Sequence, residues 1–470
     1  MFVKIIASLG PSTSSIEIIE AMARAGVNGF RINFAHGDPQ QWARLADMVR
    51  TVEKKIGRPL ALIGDLQGPS IRLGYLEKPV VVKRGNEVRF VLAERSSGED
   101  RKIPLPVKKF FESVDVGDIL IMDDGRVRLR VVDKPSDSEI VATALTDATI
   151  TSRKAVVVFG KDIDLPAISM RDLDCIKFAV AHGFDYIALS YVRRAEDILI
   201  LREILRREGG EGMGIIAKIE TRSAIENLDS IIDASDVILV ARGDLGMNFG
   251  LEEVHHYQKI IVNKCIEKGK PVIVATQLLE SMVEKPVPTR AEIVDISTAV
   301  EMGVDALMLT GETSVGKHPV EAVRWLRRVI DYTEKHYLDT SSLIREAVSR
   351  ARSRPLDLPT RFAKGVVELA EDLEAKLMVY SVEGNTARRI SSLRPLVPVY
   401  VGTPSEKVMR RLAILWGLNP IHVEARSYDE GLTKMLEIAR QSELVSFGET
   451  VVLTYGLREA RQRIEVLRVA

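Results

Sequence analysis

Cysteine is almost missing from this chain: Cys175 and Cys265 are the only two in 470 residues. They lie far apart in sequence, so no disulfide framework and no cysteine-rich metal site can be assembled from them. Surplus charge is missing too. Lys and Arg total 66 and Asp and Glu total 66, a formal net charge of zero. Nothing draws the whole molecule to nucleic acid or to a membrane surface, and any anion site has to be built locally. No apolar run is long enough to span a bilayer. The opening Met1-Phe2-Val3-Lys4-Ile5-Ile6-Ala7 is too short an apolar stretch for a secretory signal before Gly10-Pro11-Ser12. The expectation is a soluble, cytoplasmic protein with no nucleic-acid or membrane partner. There is no low-complexity segment and no internal repeat beyond a strand–helix beat. No G-x-x-x-x-G-K-[ST] loop occurs, and Gly311-Glu312-Thr313-Ser314-Val315-Gly316-Lys317 does not meet that pattern, so any nucleotide is bound without a P-loop. What the chain does have is 46% hydrophobic and 28% charged residues. That is a globular composition, long enough for two to four domains.

Apolar strand-like runs alternate with amphipathic helical patterns at Val3–Leu9, Phe30–Phe34 and Leu60–Asp65. The beat stops, then resumes at Tyr186–Tyr191, Ile215–Ile219, Val237–Val240, Pro271–Ala275 and Ala306–Leu309. Strands alternating with helices predict a parallel sheet. Eight of them, nearly continuous in hydrophobicity, fit an α/β fold of the (β/α)8 TIM-barrel type. The interruption has period-two alternation and a turn signal at Asp123-Asp124-Gly125, and reads as an inserted small β-barrel domain able to act as a lid. After a polar stretch, Asp339-Thr340-Ser341-Ser342 to Arg352-Ser353-Arg354-Pro355, strands and helices alternate again. The expected domains are a catalytic barrel over 1–67 and 162–336, a β lid over 68–161, and a C-terminal α/β domain over 337–470, suited to regulation and subunit contact.

In a barrel of this kind the reactive residues sit at the C-terminal ends of the strands. Those ends carry Arg31, Asn33, Asp65, Lys218, Glu220, Asp244, Thr276 and Thr310-Gly311-Glu312. Lys218 and Glu220 are two apart on a strand and share a face. Asp244 follows an apolar strand between Gly243 and Gly246. Two carboxylates from neighbouring strands can hold one Mg²⁺, and a lysine beside it suits an anionic transition state. The bland alternative is a strand-end salt bridge from Lys218 to Glu220 or Asp244. Arg31 presents a fork for a phosphate or carboxylate, or pairs with a neighbouring acid. His36 is a ligand-stacking imidazole or a loop residue, and Asp65 taken alone is a helix cap. Arg72 opens the insertion and reaches for a nucleotide phosphate, or is a solvated hinge residue. Thr276 gives its hydroxyl to substrate or caps the next helix. Pro288-Thr289-Arg290-Ala291-Glu292 begins a helix in a structural or subunit-contact role.

Several motifs then stand in one order: Arg31-Ile-Asn-Phe-Ala-His-Gly, Asp65-Leu-Gln-Gly-Pro, Ile-Ala-Lys218-Ile-Glu220, Ala-Arg-Gly243-Asp244-Leu-Gly, Ala-Thr276-Gln-Leu-Leu-Glu-Ser-Met, Pro-Thr-Arg-Ala-Glu292 and Thr-Gly-Glu312-Thr. Together they resemble the pyruvate kinase family over nearly the whole chain. The resemblance implies phosphoryl transfer from phosphoenolpyruvate to ADP, giving pyruvate and ATP at the final step of glycolysis. It implies Mg²⁺ on Glu220 and Asp244, with Mn²⁺ able to substitute, and Lys218 beside the transferring phosphoryl group and the enolate oxygen. It places Arg31 on the phosphoryl group, Gly243, Asp244 and Thr276 at the carboxylate, and Asn33, His36, Arg72 and Lys154 on the nucleotide side. It also implies a K⁺ ion held by Asn33, Asp65 and the Leu66 carbonyl, and a homotetramer.

This sequence departs from the family pattern in places. Ala35 stands where the family has a serine hydroxyl for K⁺, and Ser70 where it has a glutamate, which predicts a weakened or absent K⁺ requirement. The residues after Lys154, Ala155 to Phe159, differ from the usual sequence. In Ser381-Val382-Glu383-Gly384-Asn385-Thr386, the family's effector-phosphate loop, Glu383 puts a negative charge where a phosphate would sit, which argues against activation by fructose 1,6-bisphosphate. The alternatives are another Mg²⁺-dependent barrel acting on phosphoenolpyruvate or pyruvate, such as a lyase, and a catalytically silent ligand-binding homologue. Arg72 and the insertion argue against the lyase, because a lyase needs no second phosphate site. Retention of Lys218, Glu220, Asp244, Arg31 and Thr276 argues against the silent protein.

Overall fold

A computed structural model describes the chain except for residues 1, 124, 339, 457–461 and 470. Asp124 of the expected turn and Asp339 of the polar stretch therefore lie outside the described residues. Eight strands close into a parallel barrel: β1 (Lys4–Leu9), β2 (Gly29–Asn33), β3 (Ala61–Asp65), β4 (Tyr186–Leu189), β5 (Gly214–Ile219), β6 (Val237–Ala241), β7 (Val272–Ala275) and β8 (Ala306–Leu309). Each neighbours its successor and β8 pairs with β1, Lys4 opposite Ala306. All eight expected strands are present, with ends shifted by a residue or two.

The strands are apolar throughout because both faces are covered. On β1, Ile5, Ala7 and Leu9 join the large core under the helical layer, while Ile6 belongs to the column inside the barrel. That inner column, with Ile63, Ile216, Leu239, Ile273 and Met308, is continuous with core residues of the C-terminal domain such as Val367, Ile390 and Leu415. The C-terminal domain thus plugs the bottom of the barrel. Lys4 points into this plug: it is 1% exposed, and its ammonium donates to the Leu418 carbonyl at 2.6 Å.

The insertion has its own core, including Val88, Phe90, Phe110, Leu120, Leu129 and Ile140. The small barrel expected there takes the form of a six-stranded, mainly antiparallel sheet with two two-stranded ribbons. The C-terminal sheet has four parallel strands, Leu418–His422, Val399–Thr403, Lys376–Tyr380 and Thr450–Tyr455, and an antiparallel edge strand, Arg463–Arg468. The polar stretch is largely a helix, Ser342–Ser353, capped by the Ser341 hydroxyl. It lays Ile344, Ala347 and Ala351 into the barrel's outer core.

Candidate active site

The rim at the C-terminal ends of β1 to β5 gathers one charged cluster. Lys218, on β5, places its ammonium 2.9 Å from Glu220 Oε1 and 3.6 Å from Asp65 Oδ1, and donates to Ser190 Oγ at 2.8 Å. Arg31, on β2, donates Nε to Asp65 Oδ2 at 2.6 Å and Nη1 to Ser8 Oγ at 3.0 Å. Asp65 is 1% exposed and joins the two cations. The helix-cap reading of Asp65 is therefore overturned. The acid faces into the barrel, where only a charged partner stabilises it. Burial alone would raise its pKa, but the Lys218 and Arg31 charges outweigh that and hold it below the ordinary carboxylate range. Burial would lower Lys218, yet Asp65 and Glu220 reverse the effect and hold it above the usual lysine value. The strand-end salt bridge and the reactive cluster proposed for Lys218 are thus the same object.

Glu220, 1% exposed, also accepts the Tyr191 backbone N–H on Oε2 at 2.7 Å. Tyr191 takes the left-handed conformation, φ 54°, just beyond the end of β4. Burial, then the Asp244 and Glu220 charges, push its phenol well above the ordinary tyrosine value. Asp244 does not sit on a strand end as expected. β6 stops at Ala241, and Asp244 falls in the first turn of the helix Arg242–Asn248. Asn248 Nδ2 ties it to the neighbouring strand, donating to the Glu220 carbonyl at 2.7 Å and the Asp244 carbonyl at 3.1 Å. Among the described residues no group of three or more His, Cys, Asp and Glu is gathered to hold a metal by itself. Glu220 and Asp244 fit a hard cation such as Mg²⁺, which takes one or two protein carboxylates and draws its other ligands from water and substrate oxygens.

Thr276 does not cap the helix that follows it. Its hydroxyl oxygen accepts the Gly243 N–H at 2.9 Å, in the first turn of the helix Arg242–Asn248, which leaves its own proton free to donate. Thr276 and Gln277 are consecutive left-handed residues, φ 70° and 52°. Arg242 holds them, donating to the Thr276 carbonyl at 2.7 Å and the Gln277 carbonyl at 2.8 Å while pairing with Asp295 at 2.6 Å.

Asn33 and His36 line a cavity of about 620 Å³ beside Arg31, with Pro11, Trp42 and Met48 among its apolar walls. His36 is held below its ordinary pKa by burial and by the charges of Arg72, Arg31 and Arg171, which favours the neutral imidazole. From the insertion, Arg72 donates to the Arg153 carbonyl at 3.1 Å, and Lys154 pairs with Asp123. The cluster therefore brings together Arg31, Asp65, Lys218 and Glu220 by direct contact, with Asp244 tied in through Asn248. The Gly243–Thr276 pair stands at the end of the neighbouring β7, and Lys154 pairs within the insertion. Sequence reasoning passed over Ser8, Ser190, Tyr191, Arg242 and the apolar walls of the cavity. Ser190 follows directly on the apolar run of β4, so the strand-end rule was enough to flag it.

Residues 2–323 match the model of the barrel domain of pyruvate kinase, and residues 361–470 match that of its alpha/beta domain. A pyruvate kinase of Pyrobaculum aerophilum is 40% identical over 468 residues, covering 98% of this chain and 96% of that protein. One of Thermotoga maritima is 38% identical over 97% of this chain and 96% of its own length. The crystal structure of pyruvate kinase from Pyrobaculum aerophilum superposes with a TM-score of 0.87 at 40% identity, covering 99% of both chains. A Cryptosporidium parvum pyruvate kinase structure gives 0.91 at 31% identity, over 100% of this chain and 96% of that one.

Proposed function

Because this chain belongs to the pyruvate kinase family, we infer that its barrel rim transfers the phosphoryl group of phosphoenolpyruvate to ADP, giving pyruvate and ATP. One observation carries the reading: two partly buried cations, Lys218 and Arg31, share the buried Asp65 at a rim that also carries the Glu220 and Asp244 carboxylates. In the reaction a β-phosphate oxygen of ADP attacks phosphorus and the bond from phosphorus to the enol oxygen breaks. The departing enolate then takes a proton at its methylene carbon. The transition state is loose and anionic, so the protein contributes positioning and positive charge rather than covalent chemistry. Arg31 and Lys218 are suited to that work because Asp65, Ser8 and Ser190 fix them in advance. Lys218, held between Asp65 and Glu220, serves as a fixed charge. The Thr276 hydroxyl, with its proton free, is suited to hold a water that delivers the proton to the methylene carbon. Magnesium held by Glu220 and Asp244 would add positive charge against the phosphoryl and enolate oxygens, and Mn²⁺ has the same ligand chemistry.

The cavity beside Arg31, Asn33 and His36 suits the nucleotide, and the lid, residues 68–161, brings Arg72 and Lys154 toward its phosphates. Three facts support a weak K⁺ requirement. Asn33 Oδ1 already accepts the Ala35 N–H at 3.0 Å, Asp65 is engaged by two cations, and the Leu66 carbonyl accepts the Ser190 hydroxyl at 2.8 Å. Ala35 adds no oxygen. Rates in K⁺-containing and K⁺-free buffer are expected to agree; a large fall on removing K⁺ overturns the point. The divisions at 67/68, 161/162 and 336/337 and a cytoplasmic homotetramer complete the reading. Exposed Val287 and Val294 flank the start of the helix Arg290–Glu301 and offer subunit contact. The decisive test is pyruvate formation from phosphoenolpyruvate and Mg²⁺ with and without ADP. ADP-dependent formation is expected, whereas ADP-independent formation or none overturns the assignment.

A further inference from the structure

Trp42 is 5% exposed, most of its ring in the core and an edge on the cavity beside Arg31, Asn33 and His36. It stands one turn into the helix Pro39–Ile56. Asp38 caps that helix, its carboxylate accepting the Gln40 and Gln41 N–H groups at 2.9 and 3.0 Å. Side chains on a helix lean toward its N-terminus, so the indole reaches back over the turn, residues 34–38, that joins β2 to the helix. There its Nε1 donates to the His36 carbonyl at 2.7 Å.

The indole is gripped on the core side. Its ring lies 4.7 Å from that of Phe34 and 5.5 Å from that of Phe178, and Phe34 packs in turn on Phe184 at 5.5 Å. Tilted aromatic pairs at these spacings add to the stabilisation from burial, so the N–H is a fixed donor. His36, by contrast, is exposed. An exposed side chain loses rotamer freedom when a ligand orders it, and a backbone set in advance lowers that cost. Before His36 the turn is held by Asn33, whose carbonyl accepts the His36 N–H at 3.2 Å and whose Oδ1 accepts the Ala35 N–H at 3.0 Å. After His36 the chain passes through Gly37 in the left-handed conformation, φ 75°. A Cβ on Gly37 would fall 2.7 Å from Gln41 Oε1 and 3.2 Å from Trp42 Nε1. Glycine therefore lets the indole come close enough to take the carbonyl. Any buried tryptophan N–H needs an acceptor, so the bond has a plain structural reading. Its acceptor points further, because it is the backbone of a residue that lines the cavity. The charges of Arg72, Arg31 and Arg171 favour the neutral imidazole, so the His36 ring works through its position.

We propose, on the reading of this cavity as the nucleotide site, that Trp42 is a positioning residue for ADP: its indole N–H fixes the His36 carbonyl and thereby sets the turn that aims His36 at the nucleotide. Trp42 acts through His36. The turn is ordered before the nucleotide arrives, and less freedom is lost on binding. The groups read as holding phosphoenolpyruvate beyond Arg31 stand on other elements, Lys218 on β5 and Thr276 after β7. Loss of the N–H therefore falls chiefly on the nucleotide.

Calorimetric titration of the full-length protein with ADP and Mg²⁺ reads the effect without turnover. Trp42→Phe keeps the ring and removes the N–H, and should bind ADP about fivefold more weakly than wild type, the scale of one ordinary hydrogen bond. Gly37→Ala, which pushes the indole off the turn, should weaken ADP by a similar factor. His36→Ala should weaken it too, and adding Trp42→Phe to His36→Ala should cost nothing more, because the two act as one unit. In steady-state rates, the KM for ADP of Trp42→Phe should rise about fivefold relative to its KM for phosphoenolpyruvate. Unchanged ADP binding in Trp42→Phe or Gly37→Ala, losses that add in the double variant, or equal rises in the two KM values would overturn the positioning role alone. Normal ADP binding by His36→Ala would overturn the nucleotide reading of His36, and the positioning role with it.

Discussion

Lys218 works through the oxygens around it: Glu220, Asp65 and Ser190 hold its ammonium before any substrate arrives. Replacing it by methionine removes the charge and keeps the length. Lys218→Met is expected to lower kcat by about 10²–10³-fold or more, the scale of losing one preorganised transition-state donor. Glu220→Gln should be of similar severity, and circular dichroism should show both variants folded. Near-normal turnover in either would refute the assignment. Thr276→Ala makes a different prediction. Phosphoenolpyruvate affinity should hold while solvent proton exchange into pyruvate, followed by NMR, slows; unchanged exchange rules out the water-holding role. Lys218 and Glu220 were legible because period two on a strand puts them on one face. Asp65 stood out at its strand end but its partners did not, because they lie 34 and 153 positions away on other strands. Ser190 was passed over although it follows directly on the apolar run of β4, because its partners Lys218 and Leu66 lie on or just past other strands of the barrel.

The elements of the barrel were legible because continuous apolar runs can only be buried strands here. The helix Ser342–Ser353 was not, because its buried stripe is Ile344, Ala347 and Ala351, too small to register among so many polar neighbours. The edge strand Arg463–Arg468 was missed because it exposes nearly every residue, Ile464 and Val466 included. At this scale the turn after β7 is the most demanding piece. Thr276 and Gln277 hold two successive left-handed conformations, each worth about 1–3 kcal/mol of strain outside glycine. Arg242 offsets that strain through two carbonyls and is anchored by Asp295. Arg242→Gln is expected to cut kcat by about 10²-fold through misplacement of Thr276, with amide exchange rising in the 275–279 segment. A variant with normal kcat and normal protection would show that the turn holds itself.

The whole molecule depends on how the C-terminal domain closes the barrel, and Lys4 reports on that closure. Burial pulls the Lys4 pKa down to about 7, opposed by the charge of Glu334. In the unfolded chain the same group titrates near 10.5. Between those values the unfolded state holds more protons than the folded state, so stability rises as pH rises. Below about 7 both states are protonated and the burial cost is fully present. Denaturant unfolding should show wild type gaining stability from pH 6.5 to pH 9 relative to Lys4→Met. An identical pH dependence in the two proteins would mean that Lys4 keeps its ordinary pKa. None of this was readable from Lys4 in a run of apolar residues, because the residue that covers it, Leu418, lies in another domain.

Ser190 has a mechanical consequence. Its hydroxyl donates to the Leu66 carbonyl and accepts from Lys218, and its own carbonyl lies so near Gly68 that a Cβ there would fall 2.8 Å away. Gly68 is where the chain leaves the barrel for the inserted domain, in the left-handed conformation at φ 65°. The pivot of the insertion and the cradle of the lysine are therefore one joint. A swing of the insertion cannot change the angle at Gly68 without leaning on the serine that aims the ammonium. Drift at position 190 would loosen both ends of that linkage at once.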